Sequence, residues 1–220
     1  MLPRIMNFKR SGTNLWLKAT AILMLLPNMG LSQLPSSAPK IADKDYPIRI
    51  DGTATLIGSW TCGGDAVVKI DPGNPAPKSI DGIHMVEVTA AVPDIECGDS
   101  SMNKHLRKAL KMKQFPKIVY RANKYAVVDD GQAIQTSGDL TIAGVTKPVG
   151  IGAKLIHFPE LGARVVGTVE INMLDYNVKP PSIFFGALRV AKTVSIEFDT
   201  VVMLPEEIAQ LFFPTRTNSN

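Results

Sequence analysis

The stretch "SGDLTIAGVTKPVGIGAKLIHF", Ser137 to Phe158, decides how this chain is read. Leu140 and Ile142 share one parity before a tight turn. After it Val149, Ile151, Ala153 and Leu155 share one parity, with Gly150 and Gly152 opposite. Side chains alternate across a strand, so this is an antiparallel hairpin with one apolar face. That face is built from medium and small aliphatic side chains. A sheet made of such strands encloses an interior that its own side chains underfill.

The same alternation extends outward in both directions. "IHMVEVTAAV" places Val86, Val88, Ala90 and Val92 on one side, and "KIVYRA" turns Ile118 and Tyr120 inward. "YAVV", "GDLTIA", "VGIGAKLI", "RVVGTVEI" and "TVSIEFDTVVM" follow as further strands. In the last two, Arg164, Thr168, Glu170, Ser195, Glu197 and Asp199 hold the wet parity, which leaves Val169, Ile171, Ile196 and Phe198 for the dry one. Toward the N-terminus, Ile48 and Ile50 alternate with Pro47 and Arg49, "TATLIGSW" brings Leu56 and Trp60, and "AVVKID" runs into the turn signal "DPGNPAP".

One internal helix interrupts the strands, "SSMNKHLRKALKM". Asp99, Ser100 or Ser101 can cap it, and Met102, Leu106, Ala109 and Leu110 form a stripe that docks on the sheet. Pro116 ends it. A short second helix follows Pro205 in "LPEEIAQLFF", with Glu206 and Glu207 in its favourable first turn. Eight or so strands joined by short turns, without alternation of strand and helix, predict an all-β, up-and-down antiparallel eight-stranded barrel. Such a barrel is either filled by its own side chains or holds one ligand. With aromatics only 6% of the chain, a lumen lined by hydrocarbon and open to a hydrocarbon guest is expected.

The expected organisation is an export signal over 1–32, a Pro/Ser-bearing linker over 33–44, the barrel over 45–204, and a C-terminal helix and tail over 205–220. Arg4, Lys9, Arg10 and Lys18 precede the short apolar run "ATAILMLL", and small residues follow at Gly30 and Ser32. That run falls well short of the roughly 20 residues of a spanning helix. A periplasmic or secreted protein is the expectation. Residues 1–32 hold four of the 24 Lys+Arg and none of the 20 Asp+Glu, so the exported chain is 20 against 20. The formal net charge of +4 is therefore no argument for nucleic acid as partner. Cys62 and Cys97, in an oxidising compartment, are expected to form a disulfide, the alternative being two unpaired buried thiols.

No G-x-S-x-G, H-E-x-x-H, phosphate-binding glycine loop or C-x-x-C pair is present. His84, His105 and His157 stand far apart on different elements, so no metal or cofactor is expected, and no catalysis. The helix carries Lys104, Arg107, Lys108 and Lys111, with Lys113 just beyond and no acid among them. Lys104, His105 and Lys108 can meet a diphosphate head group or, transiently, an anionic membrane surface; the alternative is a solvated face. In "NVKPPSIFFGAL", Pro180 and Pro181 stiffen a loop whose Ile183, Phe184 and Phe185 are apolar enough to line or cover the barrel mouth, or to plug one end of it. Trp60, Phe115 and Tyr120 carry the same two readings.

At this point the residues show a resemblance. "MNKHLRKALKMKQFPKIVYRA" followed by "SGDLTIAGVTKPVGI" resembles the YceI-like family, in which a helix leads to a Pro-containing strand and a G-x-L-T-I-x-G-V-T-K-P-V hairpin. "LIGSWTCGG" and "ALRVAKTVSIEFD" are similar to its early and last strands, and the resemblance spans Tyr46 to Leu204. It implies a lipocalin-like barrel that binds polyprenyl lipids or isoprenoid quinones in its lumen, without catalysis. The expected lining and mouth then comprise Trp60, Val86, Val88, Leu106, Leu110 and Phe115, with Ile118, Tyr120, Leu140, Ile142 and Ile151. Val169, Ile171, Phe184, Phe185, Ile196 and Phe198 complete the set. Burying hydrocarbon is worth about 0.8 kcal/mol per CH₂, so three isoprene units supply on the order of 10 kcal/mol gross. Association costs leave a micromolar complex within reach. A packed interaction module and an accessory enzyme subunit acting on a lipid or quinone through His105 are the alternatives, and dimerisation is left open.

Overall fold

The structure, a computed structural model, describes residues 46–158, 162–183 and 187–212. The expected export segment, the linker, and Phe184 and Phe185 of the apolar loop lie outside them. Alternating apolar residues become β1 (Ile48–Ala54), β2 (Gly58–Gly64), β3 (Ala66–Asp71), β4 (Met85–Ala91), β5 (Lys117–Val128), β6 (Ala133–Ile142), β7 (Val145–Phe158) and β8 (Gly162–Asn172). A two-residue pair, β9 (Ser182–Ile183) and β10 (Leu188–Arg189), precedes β11 (Thr193–Met203). The helices are α1 (Ser100–Ala109) and α2 (Glu206–Phe212). Of the three candidate caps, Asp99 is the one used, its carboxylate accepting from Met102 N at 2.8 Å.

Among the described residues, nine strands form one antiparallel sheet in the order β2-β1-β11-β8-β7-β6-β5-β4-β3. Its two edge strands, β2 and β3, are consecutive in the chain with only Asp65 between them. One bent run, Gly58 to Asp71, therefore pairs with β1 through its first half and with β4 through its second. Counted as one strand it restores the eight that the sequence predicts. The curled sheet is closed by covalent continuity rather than by a last ladder of hydrogen bonds.

The outer edge of β2 is covered as well. Gly63 N donates to Glu96 O and Glu96 N to Gly63 O, each at 2.8 Å. One residue away on each side, the Cys62–Cys97 disulfide fastens the same two segments, and both cysteines are fully buried. An unpaired strand edge is a template for aggregation, and this one is blunted at the seam.

One expected boundary is corrected. "KIVYRA" and "YAVV" are a single strand, β5, in which the register against β6 shifts between Ala122 and Lys124. Asn123 is the extra residue of a bulge, and it inverts the parity beyond it. Tyr120, Ala122 and Tyr125 consequently all face inward. Gly138 lies opposite Ala122, and a Cβ there would collide with the backbone of Arg121 and Ala122, so the bulge requires a residue without a side chain. Leu56 is also corrected: it occupies the turn between β1 and β2 with positive φ, 70% exposed, because Thr55 to Ile57 form the reversal itself.

Outside, charges pair across the strands: Arg49 with Glu197 at 2.7 Å and Arg121 with Glu87 at 2.7 Å, both directly in register. These exposed pairs contribute little stability. The disulfide contributes more, since it closes a loop of 35 residues. Replacing both cysteines by Ala is expected to cost about 4 kcal/mol and to lower the melting temperature by about 10 °C. Thermal melts of the wild-type and double-variant chains, compared with the oxidised protein plus reductant, check it; unchanged melting would show that the seam holds without the staple.

Candidate functional site

The inward positions of the strands surround a cavity of about 260 Å³. Parity is kept all the way round: Ile48 and Ile50 of β1, Val68 and Ile70 of β3, Val86, Val88 and Ala90 of β4, and Ile118, Tyr120 and Ala122 of β5. Across from them stand Ile134, Thr136 and Leu140 of β6, Ile151, Ala153 and Leu155 of β7, and Val165 and Val169 of β8. From β11 come Ile196, Phe198, Thr200 and Val202. Small residues make the room. The Phe198 ring lies over Gly167 of β8, where a Cβ would strike it.

One end of the lumen is lined by chain from outside the sheet. Leu204 and the fully buried Ile208 of α2 line the cavity there, together with Ile83, next to the turn Ile80–Gly82 that α2 packs against. The other end is solid. Ile142, Ala143, Ile171, Tyr176, Val178, Leu188 and Val194 are buried in the same core cluster yet do not line the cavity. The barrel is thus part core and part hollow.

Polar groups inside are few. Tyr120 Oη lies 2.9 Å from Thr136 Oγ1 and 3.3 Å from Val149 O, and Thr136 Oγ1 donates to Ile151 O at 3.3 Å. Tyr125 Oη donates to Ala122 O and accepts from Val86 N at 2.8 Å. Burial pushes both phenols above their ordinary pKa, so they stay neutral across the physiological range.

The expected site residues divide clearly. Val86, Val88, Ile118, Tyr120, Leu140, Ile151, Val169, Ile196 and Phe198 line the cavity. Ile142 and Ile171 have the inward parity but lie in the packed end. Trp60 is also buried outside the lining, its ring stacked on Gly52 of the neighbouring strand. Leu106 and Leu110 pack α1 against the core cluster from outside the cavity, and the Phe115 ring covers Gly144 in the β6–β7 turn. Lys104 and Lys108 are exposed and His105 half-buried on α1, none of them lining the cavity. Arg107 of that helix is held by Glu96 at 2.6 Å and by Pro93 O at 2.8 Å. Of the other histidines, His84 pairs with Asp71 at 2.8 Å on the surface, and the placement of the His157 side chain lies outside the described residues.

Among the lining residues that sequence reasoning did not name are aliphatic ones such as Val68, Ile134 and Val165, and also Tyr125, Thr136, Thr200 and Ile208. Thr136 and Thr200 sit on inward parities that the pattern carries, but a hydroxyl does not advertise an apolar wall. Tyr125 is hidden by the bulge, and Ile208 reaches the cavity from a helix whose docking no periodicity reveals.

The YceI-like domain family matches residues 48–202. The chain belongs to the YceI-like family. Protein YceI of Escherichia coli O157:H7 is 30% identical over 173 residues, covering 70% of this chain and 86% of that protein. Among solved structures, BcnA of Burkholderia cenocepacia superposes with a TM-score of 0.57 at 15% identity, covering 71% of this chain and 96% of that one. A polyisoprenoid binding domain from Saccharophagus degradans, described as implicated in plant cell wall breakdown, gives 0.53 at 12% identity, covering 72% and 93%. At those identities the likeness is one of fold. In this YceI-like chain, the family's β-rich frame is what holds the hollow in place.

The docking of α2 rests on one side chain. Ile208→Asp places a carboxylate where Ile208 is fully buried, and a buried unpaired charge is not tolerated. Hydrogen exchange is expected to show lost protection over residues 206–211 with the barrel amides unchanged. Retained protection in the helix would show that Ile208 is not its anchor.

Proposed function

We propose that this protein is a noncovalent carrier of an isoprenoid-type lipid, a polyprenyl chain or an isoprenoid quinone, taken into the barrel lumen. The observation that carries the reading is the cavity itself: about 260 Å³ walled almost wholly by Val, Ile, Leu, Ala and Phe. The hydrocarbon of a guest leaves water there without asking any polar group to follow it. Membership in the YceI-like family and the fold shared with a polyisoprenoid binding domain support the ligand class. Export to the periplasm or beyond is part of the same proposal, supported by the basic and apolar N-terminal sequence and by the disulfide.

The volume lies just below the range of about 300–1,000 Å³ typical of small-molecule pockets. A short chain or a chain segment fits as the wall stands. For a longer guest, α2 is the element that can yield, because it reaches the lumen through Ile208 and belongs to no ladder. Nothing favours an accessory enzyme centred on His105, which lies on α1 away from the lining.

Purified from a lipid-containing host, the exported chain is expected to carry a prenyl lipid detectable by native mass spectrometry and by solvent extraction, or to take one up when delipidated. Absence of any loading would end the carrier reading. Filling the hollow provides the complement: Val88→Phe combined with Val169→Phe is expected to reduce uptake at least about tenfold. The added rings occupy existing space, so destabilisation should stay within the roughly 1–3 kcal/mol of an overpacked core. Equal uptake by this variant would place the guest somewhere other than the lumen.

A further inference from the structure

Among the described residues the cavity wall contains no lysine, arginine or histidine, and its only carboxylate there, Asp65, is exposed at the seam between β2 and β3. The hydroxyls of the wall can be accounted for one by one. Tyr125 gives its proton to Ala122 O, and Thr136 gives its own to Ile151 O. Tyr120 spends its proton on Thr136 Oγ1 or Val149 O. Thr200 is different. Its hydroxyl has no hydrogen-bond partner among the described residues, and it stands on the inward parity of β11 between Phe198 and Val202, toward the α2 end.

Among the described residues the wall therefore offers a guest one free neutral donor and a few acceptor lone pairs, and no cation. An ionised head drawn into such a wall gives up its hydration and receives no charge in return. A hydroxyl or carbonyl asks for a single hydrogen bond, which Thr200 can supply. The exposed lysines of α1, Lys104 and Lys108, do not reach the lining and do not alter this balance.

Resting on the carrier reading above, we propose that the cavity selects uncharged guests, isoprenoid-type chains ending in a hydroxyl or carbonyl, over phosphorylated or carboxylate-ended forms of the same chain. In this proposal Thr200 is the residue that reads the polar end. It separates guests with equal hydrocarbon by the charge of their ends, a distinction that the apolar wall alone does not define.

The test uses the delipidated exported chain and three probes of one chain length: farnesol, farnesyl diphosphate and the parent hydrocarbon. Farnesol is expected to bind at least about tenfold tighter than farnesyl diphosphate. Thr200→Val keeps a β-branched side chain of nearly the same shape in the strand and removes only the hydroxyl. It is expected to weaken farnesol by about three- to tenfold, the worth of one hydrogen bond, while leaving the hydrocarbon unchanged. Farnesyl diphosphate binding as tightly as farnesol, or tighter, overturns the selectivity. A Thr200→Val variant that weakens all three probes alike, or none, overturns the role of Thr200. If no probe binds the wild-type chain, the carrier reading itself falls, and that result is distinct from either of the others.

Discussion

Everything in this molecule hangs on the run from Gly58 to Asp71 serving two edges of the sheet at once. A curled sheet with free edges would expose its apolar inner face and two rows of unpaired backbone groups. Bending one strand at Asp65 lets it pair with β1 on one side and β4 on the other, so the curl is held by the chain itself. The Gly63–Glu96 bridge and the buried Cys62–Cys97 disulfide then hold the segment leading into α1 against that seam. In consequence α1 approaches from the seam side, with Arg107 fastened to Glu96, and its basic residues end up away from the lumen.

A closed curl produces a hollow only if its inner residues are too small to meet, and here that condition holds over part of the length. Near the β6–β7 turn, Ile142, Ile171, Tyr176 and Val194 meet and fill the space. Toward α2, Ala122, Ala153, Ala163 and Gly167 stand among Val and Ile, and the volume they leave is not recovered by the Phe198 ring. Close packing is the ordinary state of a protein interior, so a lumen of this kind forgoes contacts that an apolar guest can restore. Larger side chains at these positions would occupy that space and remove the site.

Much of the architecture was legible in the chain. Strict alternation in "SGDLTIAGVTKPVGIGAKLIHF" and its neighbours defined the strands and their inner faces, because burial of one face of a pleated sheet imposes a period of two. Pro205 marked the start of α2 by local chemistry, whereas the choice of Asp99 over Ser100 and Ser101 as the cap of α1 was made by the structure. What alternation does not carry is depth along the barrel axis. Ile142 and Leu140 have the same parity, yet one lies in the packed end and the other lines the cavity. Nor does it carry the effect of a single extra residue: Asn123 reverses the faces beyond it, and so Tyr125 turned inward against the simple count.

By itself the sequence indicated most of the strands, the two helices and the apolar character of the interior, and it made a Cys62–Cys97 pairing the expectation, since each follows from neighbours a few residues apart or from composition. Only the tertiary structure decided where the barrel is hollow, which hydroxyl of its lining has no partner among the described residues, and that Ile208 of α2 lines one end. Those outcomes depend on volumes and distances between side chains far apart in the chain, quantities that no local pattern encodes.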